Sequence, residues 1–402
     1  MQKDKQICDT AAHAEGSQGG HTVAAGKAAP ATVSAATVFD SKVSPLAKVG
    51  IAAALLVVFI ASFCLGSYSL NTGHTLADII AAVGEHIPMY FFNAIDKIAQ
   101  GQVLEGLAGS DVPTLVSDQN LDRSLFSIRL PRILLVILVG AALSTAGASF
   151  QGMFKNPLVS PDLLGASAGA SLGACLMMLM DAPNIGIQAG AFVGGLLAVS
   201  LTVWMRSIVK SDAILGLVLA GMLVSTLFQS GMSFVKLVAD TDSKLPAITY
   251  WLMGSFNSVT GKDFWLAIIP MLVGFVLMLS QAWKLNVMSF GDDEARSMGV
   301  NTRKARLIVI LGATLVSSTS VAVAGIIGWV GLVIPHFARA IVGPNYKVLL
   351  PTCVGLGAAY LLVIDDIARM AFGGVEIPIG ILTAILGVPF FLVIFRRSNR
   401  GW

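Results

Sequence analysis

The sequence predicts an all-α, polytopic membrane protein of about ten transmembrane helices. Of its 402 residues, 55% are hydrophobic and 12% charged, roughly half the charged share of a soluble domain. A soluble fold this apolar could not cover its surface with polar groups. Apolar runs recur at near-regular spacing from about residue 47 to the C-terminus. Most reach the roughly 20 residues that carry a helix across a bilayer with every backbone hydrogen bond made inside the segment. Lys and Arg, finally, are divided unequally between alternate connecting loops.

Residues 1–46 are rich in Ala, Gly, Ser and Thr without an apolar face, the composition of a disordered tail. A signal peptide would carry a short charged lead instead, so the first apolar run reads as an anchor. Phe63 before Cys64 also argues against a lipoprotein cleavage site. Ten spans are expected, at about 47–68, 129–151, 163–181, 186–206, 213–237, 263–283, 306–324, 325–343, 348–372 and 377–395. The weakest division is between the seventh and eighth. Residues 307–342 are nearly continuous, and the split is placed at Gly325, Gly328 and Gly331 because one straight helix of that length would overshoot the membrane. Residues 71–128 form a long loop with helix-like patches such as 75-TLADIIAAV-83.

With the N-terminus inside and ten alternating spans, all but eight of the 26 Lys and Arg residues fall on the inner side. The eight are Lys97, Arg123, Arg129, Arg132, Lys236, Lys244, Lys262 and Arg369. This is the bias expected of cytoplasmic loops, so both termini are expected in the cytoplasm and 71–128 outside.

No catalytic constellation is legible. The segment 254-GSFNSVTGK-262 has its glycines too far apart for a phosphate loop, and Asp263 stands where Ser or Thr should hold magnesium. The five His are scattered, without metal-ligand spacing. The four Cys offer no CxxC pair or disulfide framework. No basic stripe suits nucleic acid. No metal site, cofactor or enzymatic activity is therefore expected.

Three stretches depart from greasy helices and polar loops. In 156-NPLVSPDLLG-165 two prolines break the chain between spans, and broken backbone at membrane depth is tolerated only against protein or a water-filled path. Gly165, Gly169 and Gly173 follow at every fourth residue, a spacing that lets helix backbones touch. The second stretch is 288–303, an inner loop long enough for two short helices. The third runs from 325 to 380, where Asp365 and Arg369 lie four apart on one helix and can pair. Charges at a span end are functional candidates by default.

The order of short motifs resembles the FecCD-type permease subunits of ABC importers for ferric siderophores, haem and cobalamin. The matching elements begin with Arg129-Leu130-Pro131-Arg132, the run from Gly140 to Gly152, Asn156-Pro157-Leu158 and Leu164-Gly165. They continue with Trp251 and Gly254, Glu294-Ala295-Arg296 with Gly299, and Gly328 and Gly331 with Pro335, His336 and Arg339. Leu349 with Pro351, Asp365 with Arg369, and Glu376, Pro378 and Gly380 complete the series. Each is weak alone, but ten in register are specific.

The resemblance implies a type II ABC importer permease fold over residues 47–402, in the bacterial inner membrane. It implies a pore at a dimer interface, formed with a second copy or close paralogue, two ATPase subunits that carry ATP hydrolysis, and a substrate-binding protein. Arg129, Arg132 and Arg369 resemble outward-facing arginines that receive carboxylates of the binding protein. Asn156 and Leu158 match a cytoplasmic gate. Residues 288–303, with Glu294, Ala295, Arg296 and Gly299, resemble the paired coupling helices that seat in the ATPase. The substrate expected first is a ferric siderophore, then haem or a cobamide. The rival from another class, an ion-coupled secondary transporter, wants an ionisable residue in mid-membrane, where this chain has almost none.

Overall fold

Helix follows helix through the whole computed structural model, which describes residues 45–64, 128–208, 213–371 and 376–398. Among these there are thirteen α-helices and no strand. They are α1 (Pro45–Cys64), α2 (Leu130–Phe154), α3 (Ala166–Leu179), α4 (Asn184–Ile208), α5 (Ala213–Val238), α6 (Lys244–Leu252) and α7 (Gly261–Ser280). After these come α8 (Ala282–Met288), α9 (Asp292–Ser297), α10 (Thr302–Ala324), α11 (Val330–Val342), α12 (Tyr346–Met370) and α13 (Ile379–Ser398), and a 3-10 turn, Pro161–Leu164, precedes α3. Nearly all of the expected tail at 1–46 and of the loop at 71–128 lies outside the described residues.

Six helices, α2, α4, α5, α7, α10 and α12, are long and apolar enough to cross a membrane. Shorter apolar stretches lie in α1, α3, α11 and α13. Together they occupy the ten predicted positions. At about 1.5 Å per residue, the 14 residues of α3 fall short of a hydrocarbon core of about 30 Å. The Pro-broken stretch and the 3-10 turn precede it in the chain.

The division near residue 325 holds. α10 ends at Ala324, and both Gly325 and Trp329 adopt a positive φ of 68° before α11 starts. A Cβ on Gly325 would stand 2.3 Å from the Trp251 carbonyl oxygen, so only glycine fits. The broken backbone finds partners in neighbouring breaks: Ser255 N–H donates to the Ala324 carbonyl at 2.9 Å, Ile379 N–H to Gly254 at 2.8 Å and Gly380 N–H to Met253 at 3.1 Å. Three helix ends, of α6, α10 and α13, thus satisfy one another where lipid could not.

α2 is the central helix, buried along nearly its whole length against α12, α10, α11 and α7. Small residues permit this. A Cβ on Gly140 would meet the Gly357 carbonyl oxygen of α12 at 2.3 Å, and one on Gly147 the Gly331 oxygen of α11 at 1.8 Å. The predicted small-residue seam also exists, in part. Gly169 and Gly173 lie against Gly194 and Gly190 of α4, whereas Gly165 serves a different purpose, turning the chain with φ 83° between the 3-10 turn and α3. The perimeter is inverted relative to a soluble protein, with Trp204, Leu223, Leu227, Phe234 and Val276 among its exposed side chains.

Candidate functional site

Three sites and one helix face carry the functional geometry. The first lies at the Arg129 end of α2. Arg132 points its fork into two carboxylates. Its Nε and Nη2 donate to Asp365 at 2.8–3.2 Å, and Nη1 and Nη2 to Glu376 at 2.8 and 3.0 Å. Arg369 Nε lies 3.2 Å from Asp365 Oδ2, as its four-residue spacing predicts, and Arg369 pairs with Asp366 as well. The Ser62 hydroxyl donates to Asp366 at 2.7 Å, and Arg129 donates to the Phe63 carbonyl at 2.6 Å. The cluster therefore staples α1, α2, α12 and the segment just before α13 together.

The sequence expects these three arginines to receive carboxylates of a binding protein. The structure brings all three together, but Arg129 and Arg132 are buried and the guanidiniums turn toward their own chain. The physical reason is charge neutralisation. Asp365 is fully buried, and a buried carboxylate needs paired, hydrogen-bonded cations. Asp366, next to Asp365 in the chain, is held by Ser62 and Arg369.

The second site is the Pro-broken stretch after α2. Lys155 ends the helix in the left-handed region, φ 51°. Asn156 N–H then returns to Gln151 at 3.2 Å, and its side-chain oxygen accepts the Leu158 N–H at 2.9 Å. This turn leaves Leu158 48% exposed, an apolar side chain presented rather than packed. Behind it Gly221 of α5 and Thr202 of α4 touch the 3-10 turn, Thr202 donating to the Leu164 carbonyl at 2.9 Å. Asp162, between the spans, accepts the Ser167 hydroxyl. Burial pushes its carboxyl above the ordinary range, against that hydroxyl's pull downward.

The third site is the segment 288–303. It holds one complete helix, α9, rather than the expected two. The earlier short helix, α8, ends at Met288, because the chain breaks from α7 already at Gln281. Ala295 is fully buried with Val287, Met288, Val300 and Ala305, while Glu294 and Arg296 face outward. Gly299 has φ 81° with open space about its α-carbon. Asp292 ties this segment to its neighbours, accepting Arg306 of α10 at 2.7 Å and lying 3.9 Å from Lys155.

One feature the sequence reading passed over lies on α5. Thr226, Gln229, Ser230 and Ser233 form a polar stripe on an otherwise apolar membrane helix, and all four are exposed. Thr226, Ser230 and Ser233 return their hydroxyls to the carbonyl four residues back at 2.9–3.0 Å. The Gln229 amide has no partner among the described residues. The spacing i, i+3, i+4, i+7 was the signal available in the sequence.

The glycine, proline and arginine positions described above fall within residues 54–397, which match the FecCD transport family. The chain is 37% identical over 277 residues to the molybdate import system permease protein of Haemophilus influenzae, covering 69% of this chain and 82% of that one. It is 37% identical over 279 residues to the hemin transport system permease protein of Yersinia pestis, covering 68% and 83%. Among solved structures, it superposes on a metal-chelate type ABC transporter in an inward-facing conformation. The TM-score is 0.72, with 32% identity and coverage of 88% of this chain and 99% of that one. From the order of its motifs, the fold that positions them and these relatives, the chain belongs to the FecCD transport family of ABC importer permeases.

Proposed function

We propose that this permease forms, with a second permease copy, the path by which an iron chelate enters the cell. A ferric siderophore is the first substrate, with haem or a cobamide next. The observation that carries this reading is the α5 stripe. Gln229 has two donors and an acceptor that hydrocarbon cannot satisfy. Its exposure on a single chain is relieved where a second copy encloses a water-filled path. The hemin permease and the metal-chelate transporter among the similar proteins support an iron chelate over the molybdate of the third.

In this reading two ATPase subunits supply the driving energy and the permease supplies no catalytic group. Glu294, Ala295, Arg296 and Gly299 lie on the segment that seats in the ATPase. Asn156 and Leu158 close the path at the cytoplasmic end, and both termini are cytoplasmic, as the Lys and Arg bias supports. Arg129, Arg132 and Arg369 receive the binding protein by exchanging their own chain's carboxylates for the partner's. The planar guanidinium suits such an exchange because it grips either carboxylate with two parallel bonds.

The test is uptake by proteoliposomes holding the permease, its ATPase and its binding protein. ATP-dependent accumulation of a ferric siderophore, hemin or a corrinoid is expected, with loss on Gln229→Leu. Accumulation of molybdate alone would overturn the substrate, and accumulation driven by an ion gradient without ATP would overturn the mechanism.

A further inference from the structure

We propose that the crevice between α9, α10 and the facing ends of α4 and α5 binds the phosphate headgroup of an anionic phospholipid. The pocket there measures about 410 Å³. Four guanidiniums line it, Arg206, Arg296, Arg303 and Arg306, against the single carboxylate of Asp292. That carboxylate is already engaged, by Arg306 at 2.7 Å and by Lys155 at 3.9 Å. Arg296 has an exposed partner, Asp293, at 3.5 Å. Arg206 and Arg303 have no carboxylate partner among the described residues.

The independent observation is Arg306. Only 6% of this residue is exposed, yet its Nε finds no hydrogen-bond partner. A buried guanidinium N–H left unpaired is costly, and a small shift of this side chain toward an anion in the pocket it lines would remove that cost. A phosphate monoanion or dianion suits a cluster of arginines better than one more carboxylate, because it offers acceptor oxygens in several directions.

The remaining walls choose a lipid over a soluble phosphate. Val203, Leu217 and Leu307 complete the pocket with apolar surface. They belong to the ends of α4, α5 and α10, three of the helices long enough to cross the membrane. Leu307 is 47% exposed, and Trp204, beside Val203, is 59% exposed, the position that aromatic side chains favour at headgroup level. A basic rim joined to an apolar floor at one membrane face is the shape of a site for an anionic headgroup with its acyl chains alongside.

The experiment uses the full chain purified in neutral detergent, wild type, Arg206→Gln with Arg303→Gln, and Arg306→Gln. Lipid retention is read by native mass spectrometry and the melting temperature with added phosphatidylglycerol, phosphatidylcholine or inorganic phosphate. Wild type should retain phosphatidylglycerol and melt several degrees higher with it, and the double variant should bind it at least about tenfold more weakly. Arg306→Gln, if it folds, should show the same loss. Because Arg303 is exposed and Arg206 half-buried, the double variant keeps the test valid if Arg306→Gln does not fold. Equal stabilisation by phosphatidylcholine, equal stabilisation by inorganic phosphate, or unchanged phosphatidylglycerol affinity in the double variant each overturns the proposal. So does loss of the copurifying ATPase from the double variant with lipid retained, which assigns these arginines to a protein partner.

Discussion

Lys155 and Asp292 lie 3.9 Å apart, and this pair joins the turn that presents Leu158 to the first turn of α9. Both are about one-third exposed, so the pair itself contributes at most about 1 kcal/mol. Asp292 matters more through Arg306, which is buried. Asp292→Asn should destabilise the permease by about 2–3 kcal/mol, read as a lowered melting temperature in detergent, while Lys155→Gln changes little. Arg306→Met combined with Asp292→Asn should recover part of the loss, since no buried charge is then left unpaired.

Gly147 is the tightest backbone contact in the core. An added Cβ would meet the Gly331 carbonyl oxygen at 1.8 Å, and backbone cannot move aside as a side chain does. Gly147→Ala should therefore cost about 3 kcal/mol, the upper end of overpacking, and broaden the size-exclusion profile. Gly50→Ala, with nothing within 4 Å of its Cβ, is the control and should melt as wild type does.

The arginine cluster makes opposite predictions for structure and for docking. Arg132→Gln leaves the fully buried Asp365 with Arg369 alone and should destabilise by about 3–5 kcal/mol. Glu376 is only partly buried, its side chain 25% exposed, and competes with any incoming carboxylate for the Arg132 fork. Glu376→Gln should thus tighten binding-protein affinity several-fold and steepen its salt dependence. Unchanged or weaker binding would make the cluster a structural staple and nothing more.

Replacing Asn156 and Leu158 with Ala removes both the side chain that holds the turn and the apolar group it presents. Proteoliposomes of this double variant, without ATP, should leak a small probe faster than wild type while inserting normally. An unchanged leak moves the gate to another part of the path.

Burial raises the Asp162 carboxyl above its ordinary value. A raised folded-state pKa favours the protonated form, so the stability linked to this group is complete below the ordinary carboxylate range and declines as pH rises through the raised value. Asp162→Asn cannot ionise. Its melting temperature relative to wild type should therefore improve as pH rises from below the ordinary carboxylate range through the raised value, and a constant difference over that rise would contradict the assignment.

How much of this was readable beforehand follows from what each feature depends on. The ten apolar positions and the break at Gly325 were legible because span length and glycine placement are constraints on the chain itself. The pairing of Asp365 with Arg369 was legible too, being set by helical spacing. The α5 stripe was present in the sequence, but its meaning needed the finding that this face is left uncovered.

By itself the sequence determined an all-helical membrane protein, the order of its apolar helices and its motif series, since bilayer thickness and backbone hydrogen bonding admit few alternatives. Only the tertiary structure decided which partners each charge takes. Arg132 meets Asp365 across 233 residues and Glu376 across 244, and Arg306 of α10 meets Asp292 in the first turn of α9. Charges act through space over a few ångströms, and which of them come that close is settled by helix packing, where Gly140, Gly147 and Gly357 let α2, α11 and α12 approach to backbone contact.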